Sequence, residues 1–239
     1  MSRTRLAVHA VVDLLLVFLG TLLLIAPALV VVMIRDPRGM RYGPPPAGLV
    51  SVLLVIQVLV ILAVGQYRLR QARKGKRPGL ALIGAPLRPV LGLSLCVGLG
   101  AIAFGAFTVV VVRAVFGDKA LMGHSVEQML RSAQGWQLAL LSLVVIVLGP
   151  VAEELFFRGA MFGAFAGAGF PRFGMGFTAA LFAMAHLFPP MFPHYLGVGL
   201  ALAWLYRRTG TILAPIVAHM TLNGLGMAAF LLARHFKAV

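Results

Sequence analysis

The chain has 239 residues, of which 61% are hydrophobic and only 11% charged, where soluble domains run near ~45–50% and ~25%. That balance excludes a soluble enzyme, a disordered tail and a disulfide-stapled domain, and the single cysteine, Cys96, has no partner for an internal bridge. The net charge of +15 does not point to nucleic acid, because the basic residues gather at the ends of apolar runs, as they do in membrane proteins.

A spanning helix needs ~20 mostly apolar residues. The first such run is 10–34, opened by Arg3 and Arg5 and closed by Arg35, Asp36 and Arg38. It is too long for a signal peptide and has no small-residue cleavage site before a polar start. Further runs follow at 49–67, 90–116 and 136–167, the last interrupted by Gly149-Pro150. Two short runs, 173–188 and 194–206, are separated by Pro189, Pro190 and Pro193, and 211–233 closes the series. The expectation is an all-α polytopic transmembrane bundle of about seven spans, with no internal repeat. The segment 68–77 carries six positive charges and no acid, which predicts a cytoplasmic N-terminus and a loop touching anionic headgroups. Arg172 and the Arg207-Arg208 pair then share that side, with the loops 35–48, 117–135 and 189–193 on the other.

Six carboxylates exist, and Asp36, Asp118 and Glu127 fall on loops, while Asp13 can reach the interface. Glu153 and Glu154 are adjacent within an apolar segment. A charge at mid-membrane costs at least ~2.5–3.5 kcal/mol, which demands a partner. Arg158 lies four residues beyond Glu154, one turn along the same helix face, and the two predict a buried ion pair. Glu153 then points about 100° away, toward something else. In the later runs His186 follows Phe182-Ala-Met-Ala, and His219 and Asn223 share one helix face. At ~1.5 Å per residue from a common membrane face, Glu153 and His186 lie roughly 18 and 20 Å deep, and His219 and Asn223 roughly 12 and 18 Å. Packing of the three segments would bring all four groups to one level.

Such a set suits activation of water by a carboxylate and imidazoles in a dry cavity. It also suits a zinc ion held by Glu153, His186 and His219 with one position open, or hydrogen bonds from His219 and Asn223 to an oxyanion without metal. Gly149-Pro150 predicts a bend or restart of the helix just before Glu153. Pro215, four residues before His219, predicts a kink.

The pattern Glu153-Glu154-x-x-x-Arg158, Phe182-x-x-x-His186 and His219-x-x-x-Asn223 resembles the three motifs of the CPBP family. These are the CAAX-protease and bacteriocin-processing intramembrane endopeptidases, with type II CAAX prenyl endopeptidases among them. The resemblance divides the chain into 1–135, N-terminal membrane helices and loops, and 136–239, the catalytic core, within one integral membrane domain. It implies that Glu153 activates water with His186 assisting or binding metal, and that His219 and Asn223 stabilise the oxyanion or complete a metal site. Glu154, Arg158 and Phe182 would be structural supports. Zn2+ is the one cofactor it leaves open; no organic cofactor is expected. The implied partners are membrane lipids and a peptide or protein with a hydrophobic, lipidated or leader/tail segment, cleaved at the cell (plasma) membrane. Two other classes compete: a non-catalytic scaffold or regulator with the same fold, and, ranked last, a proton-coupled carrier.

Overall fold

The computed structural model describes residues 87–121 and 130–237, with isolated positions 12, 55, 58, 59 and 61–63. The spans expected at 10–34 and 49–67, the basic loop 68–77 and the orientation it sets lie outside the described residues, apart from those isolated positions. Within the described residues the protein is an all-α, membrane-type helix bundle. Helix α1 is Leu87–Phe116. Helix α2 is the rod Gly135–Gly167, α3 is Pro171–Ala185, α4 is Phe192–Thr209 and α5 is Leu213–Lys237.

Three of these, Leu87–Phe116, Gly135–Gly167 and Leu213–Phe236, are long and apolar enough to cross a membrane. They coincide with the third, fourth and seventh expected spans. The fifth and sixth are helices too, but α3 has 15 residues and rises only about 22 Å, short of a hydrocarbon core of about 30 Å. Proline sets this length. Pro171 starts α3 where a missing N–H is harmless, and Pro189-Pro190-Met191 forms a single 3-10 turn that reverses the chain into α4. At its far end α4 stops on Gly210 in the left-handed conformation, φ 68°, which a side chain would resist.

The α3–α4 pair packs closely because Gly199 has no side chain: a Cβ there would lie 2.9 Å from Ala179 Cα and 3.1 Å from Ala179 O. Helix α1 packs mainly on α5 and secondarily on α4, while Leu95, Leu99, Phe107, Val110 and Val115 stay exposed, the face expected toward lipid. The core joins Phe156, Phe157 and Met161 of α2 to Phe182 of α3, Leu202 and Leu205 of α4 and Ala218 of α5. At one end of the bundle Arg234 Nη1 donates to Leu130 O and Ala133 O, both at 2.9 Å, tying the end of α5 to the approach into α2.

The bend or restart expected at Gly149-Pro150 takes another form. The rod continues in right-handed helical conformation through Leu148 and Gly149, φ −67° and −60°, so Glu153 does not sit at a new helix N-terminus. Instead two π-helical stretches, Val144–Leu148 and Leu155–Phe162, flank the α-helical turn Gly149–Glu154. The Gly149 N–H donates to Val144 O, five residues back. The π register absorbs a proline within a continuous helix by widening the turn that precedes it.

Candidate active site

Glu154 is fully buried, and its Oε1 accepts two hydrogen bonds. One comes from Arg158 Nη1 at 2.7 Å, the ion pair expected from their spacing. The other links α2 to α5: His219 Nδ1 lies 2.9 Å from the same oxygen. A carboxylate only accepts, so Nδ1 carries the hydrogen and Nε2 is the free edge of the ring. Arg158, also fully buried, uses Nη2 to donate to Gly199 O at 3.0 Å, which the bare backbone at that glycine leaves accessible. Its guanidinium carbon sits 4.7 Å from the centre of the Phe182 ring, a cation–π arrangement. Glu154 therefore joins α2 to α5 directly and reaches α4 through Arg158, a wider role than the pairing with Arg158 alone.

Phe182 packs at the centre of the cluster. Its ring centroid lies 5.4 Å from Phe157, 4.6 Å from His186 and 5.7 Å from His219. His186 caps the C-terminal end of α3, and its Nδ1 is 2.7 Å from Phe182 O. A carbonyl can only accept, so this ring too presents an unprotonated Nε2. His186 and His219 are both held by Nδ1, leaving the nitrogen that takes a proton or contacts a ligand.

Asn223 answers a backbone vacancy. The Val145 carbonyl would take the Gly149 N–H in an α-helix or the N–H of residue 150 in π register. The first is given to Val144, and Pro150 has none. Asn223 Nδ2 donates to Val145 O at 2.8 Å, which leaves the second hydrogen of that amide for another acceptor.

A cavity of about 250 Å³ is lined by His186, His219, Asn223 and Phe182, with apolar walls that include Ile102, Val198 and Leu222. Glu153 does not form part of that lining. It lies beside it: its charge acts on His186 of α3, Tyr195 of α4 and Arg158. Its Oε2 is enclosed with no hydrogen-bond partner among the described residues. The structure thus brings His186, His219 and Asn223 to one cavity and holds the Glu153 carboxylate within electrostatic reach of His186. Among the described residues no three His, Cys, Asp or Glu side chains are arranged to hold one metal ion, and no step below runs through a metal.

Two residues of the site were not singled out from the sequence. Tyr195 stacks on His186, centroids 4.0 Å apart and planes 22° from parallel. His194 is 92% enclosed, lines the cavity and lies against the backbone of α1. The available signal was two adjacent polar aromatics in the first turn of an apolar helix, but their proline-rich flank reads as a loop edge.

An all-α bundle with helices long and apolar enough to cross a membrane, built around a buried polar cluster, is the architecture of an integral membrane protein. Residues 135–225 match the family model for type II CAAX prenyl endopeptidases, Rce1-like, so the resemblance read from the three motifs is shown for the segment that holds the site. YdiL of Bacillus subtilis (strain 168), named as a candidate membrane peptidase, is 32% identical over 84 residues, 35% of this chain. The match spans 34% of that relative's length. No solved structure matches the chain.

Proposed function

We propose that the protein is an intramembrane endopeptidase that hydrolyses a peptide bond in a membrane-associated substrate with a hydrophobic, lipidated or leader-type tail. The observation that supports this most is the enclosed Glu153 Oε2, without a hydrogen-bond partner among the described residues and within electrostatic reach of His186, whose ring is held by Nδ1 beside a small cavity. A carboxylate oxygen enclosed without a donor is costly, and an ionisable residue kept within a membrane segment is by default a functional-site hypothesis.

In this reading water enters between Glu153 and His186. Glu153 takes one proton as the water oxygen bonds to the scissile carbonyl carbon. His186 Nε2 accepts a hydrogen bond from the same water and orients it. The carbonyl oxygen becomes an oxyanion. The remaining Nδ2 hydrogen of Asn223 stabilises it, joined by His219 when protonated at Nε2, an imidazolium that Glu154 supports through Nδ1. Collapse of the tetrahedral adduct breaks the C–N bond, and the proton on Glu153 passes to the leaving amine. Glu154 and Arg158 are structural supports, and Phe182 holds both rings in place.

A site carried partly on helices long and apolar enough to span a membrane supports a membrane-associated substrate, and a prenylated tail is the form the matched family's description names. The proposed location is the cell membrane, with the N-terminus and the segment 68–77 on the cytoplasmic side. The test is cleavage of a quenched-fluorescence peptide bearing a prenylated C-terminal tail, with mass spectrometry of the product termini. Wild-type protein should release a C-terminal fragment. Folded Glu153→Gln and His186→Asn variants should not, and undiminished cleavage by both would overturn the reading.

A further inference from the structure

His194, like its neighbour Tyr195, is a polar side chain of this cavity that the proposed mechanism leaves unused. It stands in the first turn of α4, and the cavity wall includes it together with His186, His219 and Asn223. Only 8% of the residue is exposed, and its Nδ1 is enclosed with no hydrogen-bond partner among the described residues. The ring is held by shape. Its centroid is 5.9 Å from Phe104 and 5.4 Å from Tyr195. It lies on bare backbone of α1 at Gly105, where a Cβ would come within 2.9 Å of its Cε1.

A buried polar atom without a partner costs on the order of 1–3 kcal/mol. A phenylalanine would fill the same aromatic seat without that cost. The seat is built for the ring, yet nothing within the described protein uses its hydrogen-bonding capacity. The groups around it differ in kind: His186 and His219 are committed through Nδ1, and Asn223 is half-committed to Val145. The cavity volume of about 250 Å³ falls below the ~300–1,000 Å³ of pockets that enclose whole drug-sized ligands. It fits a short length of extended peptide, whose main chain presents alternating N–H and C=O groups between apolar side chains. The polar and apolar walls of the cavity present the same combination.

We propose that His194 is a substrate-binding residue: with Nδ1 enclosed, its Nε2 shares a hydrogen bond with a main-chain amide of the extended peptide next to the scissile bond. This rests on the peptidase reading for the identity of the ligand, and its energetic signature is separate. A contact made equally in the bound substrate and the transition state lowers KM and leaves kcat alone.

The experiment measures both binding and cleavage of the prenylated quenched-fluorescence peptide by the full chain in detergent, for wild type, His194→Phe and His194→Gln. Binding is read by anisotropy in the Glu153→Gln background, so it does not depend on hydrolysis. His194→Phe preserves the aromatic seat and should raise Kd and KM about tenfold, as loss of ~1.4 kcal/mol would, with kcat within about twofold. His194→Gln, which keeps a donor and an acceptor, should recover most of that loss. Unchanged Kd and KM in His194→Phe would overturn the proposal, as would a fall in kcat and thermal stability at constant Kd. Binding without cleavage by wild type would instead count against the endopeptidase reading, while the Kd ratio still decides the role of His194.

Discussion

Glu154 and His219 are 65 residues apart in the chain and share a hydrogen bond of 2.9 Å through Glu154 Oε1, the same oxygen that receives Arg158 at 2.7 Å. One acceptor atom thus joins a guanidinium on its own helix to an imidazole on another. Both side chains are almost wholly enclosed, so neither donor can turn to water if the acceptor is lost.

Glu154→Ala should therefore destabilise the protein by about 3–5 kcal/mol, the usual cost of stranding one partner of a buried ion pair. Thermal unfolding in detergent would show it as a large fall in Tm. Cleavage would fall with it, because His219 would lose the group that holds Nδ1.

Glu153→Gln should behave in the opposite way. The Glu153 Oε2 makes no hydrogen bond among the described residues, so the neutral amide loses no hydrogen-bond partner at that atom. Tm should be unchanged or higher, while the cleavage rate falls by about 10²–10⁴, the range for a removed general base. A stopped assay on a protein of normal Tm is the expected combination.

Asn223→Ala should cost about 1–3 kcal/mol, because the Val145 carbonyl then has no donor in either helical register. Asn223→Asp should be at least as damaging, since a carboxylate cannot donate and would face that carbonyl. Chemical denaturation of the two variants beside wild type measures the difference.

Gly199→Ala should separate α3 from α4, because the new methyl would meet Ala179 backbone atoms at about 3 Å and neither backbone can yield locally. Overpacking of this kind typically costs about 1–3 kcal/mol. The shift should also weaken the Arg158 contact to Gly199 O. A lowered Tm together with reduced cleavage is expected, and retention of both would show that the helices can spread without loss.

The sequence made legible whatever depends on one helix at a time. The Glu154–Arg158 pair follows from one turn of spacing plus the cost of burying charge, and His219 and Asn223 follow from sharing a face. Phe182 was legible as a residue packing near the site, though not as the ring that touches Arg158, His186 and His219 together. Less was legible where two helices define each other. That Glu154 also serves His219 needs the distance between α2 and α5, which no spacing encodes. The π register around Gly149-Pro150 needs the choice between breaking a helix and widening it, and the carbonyl that the wider turn leaves open is met by Asn223, far along the chain. His194 escaped attention because its seat is the bare backbone of Gly105, a feature with no side chain to read.

The turn at Val144–Leu148 has a consequence for how the bundle tolerates change. The Val145 carbonyl is left for Asn223 because the Gly149 N–H goes to Val144 and residue 150 is an imino acid, so Pro150 and Asn223 act as lock and key across two helices. Restoring an amide hydrogen by Pro150→Ala would let the backbone close on itself and make the asparagine dispensable for stability, though not for the proposed oxyanion contact. The pair should consequently show strong epistasis, each substitution harmful or neutral according to what stands at the other position.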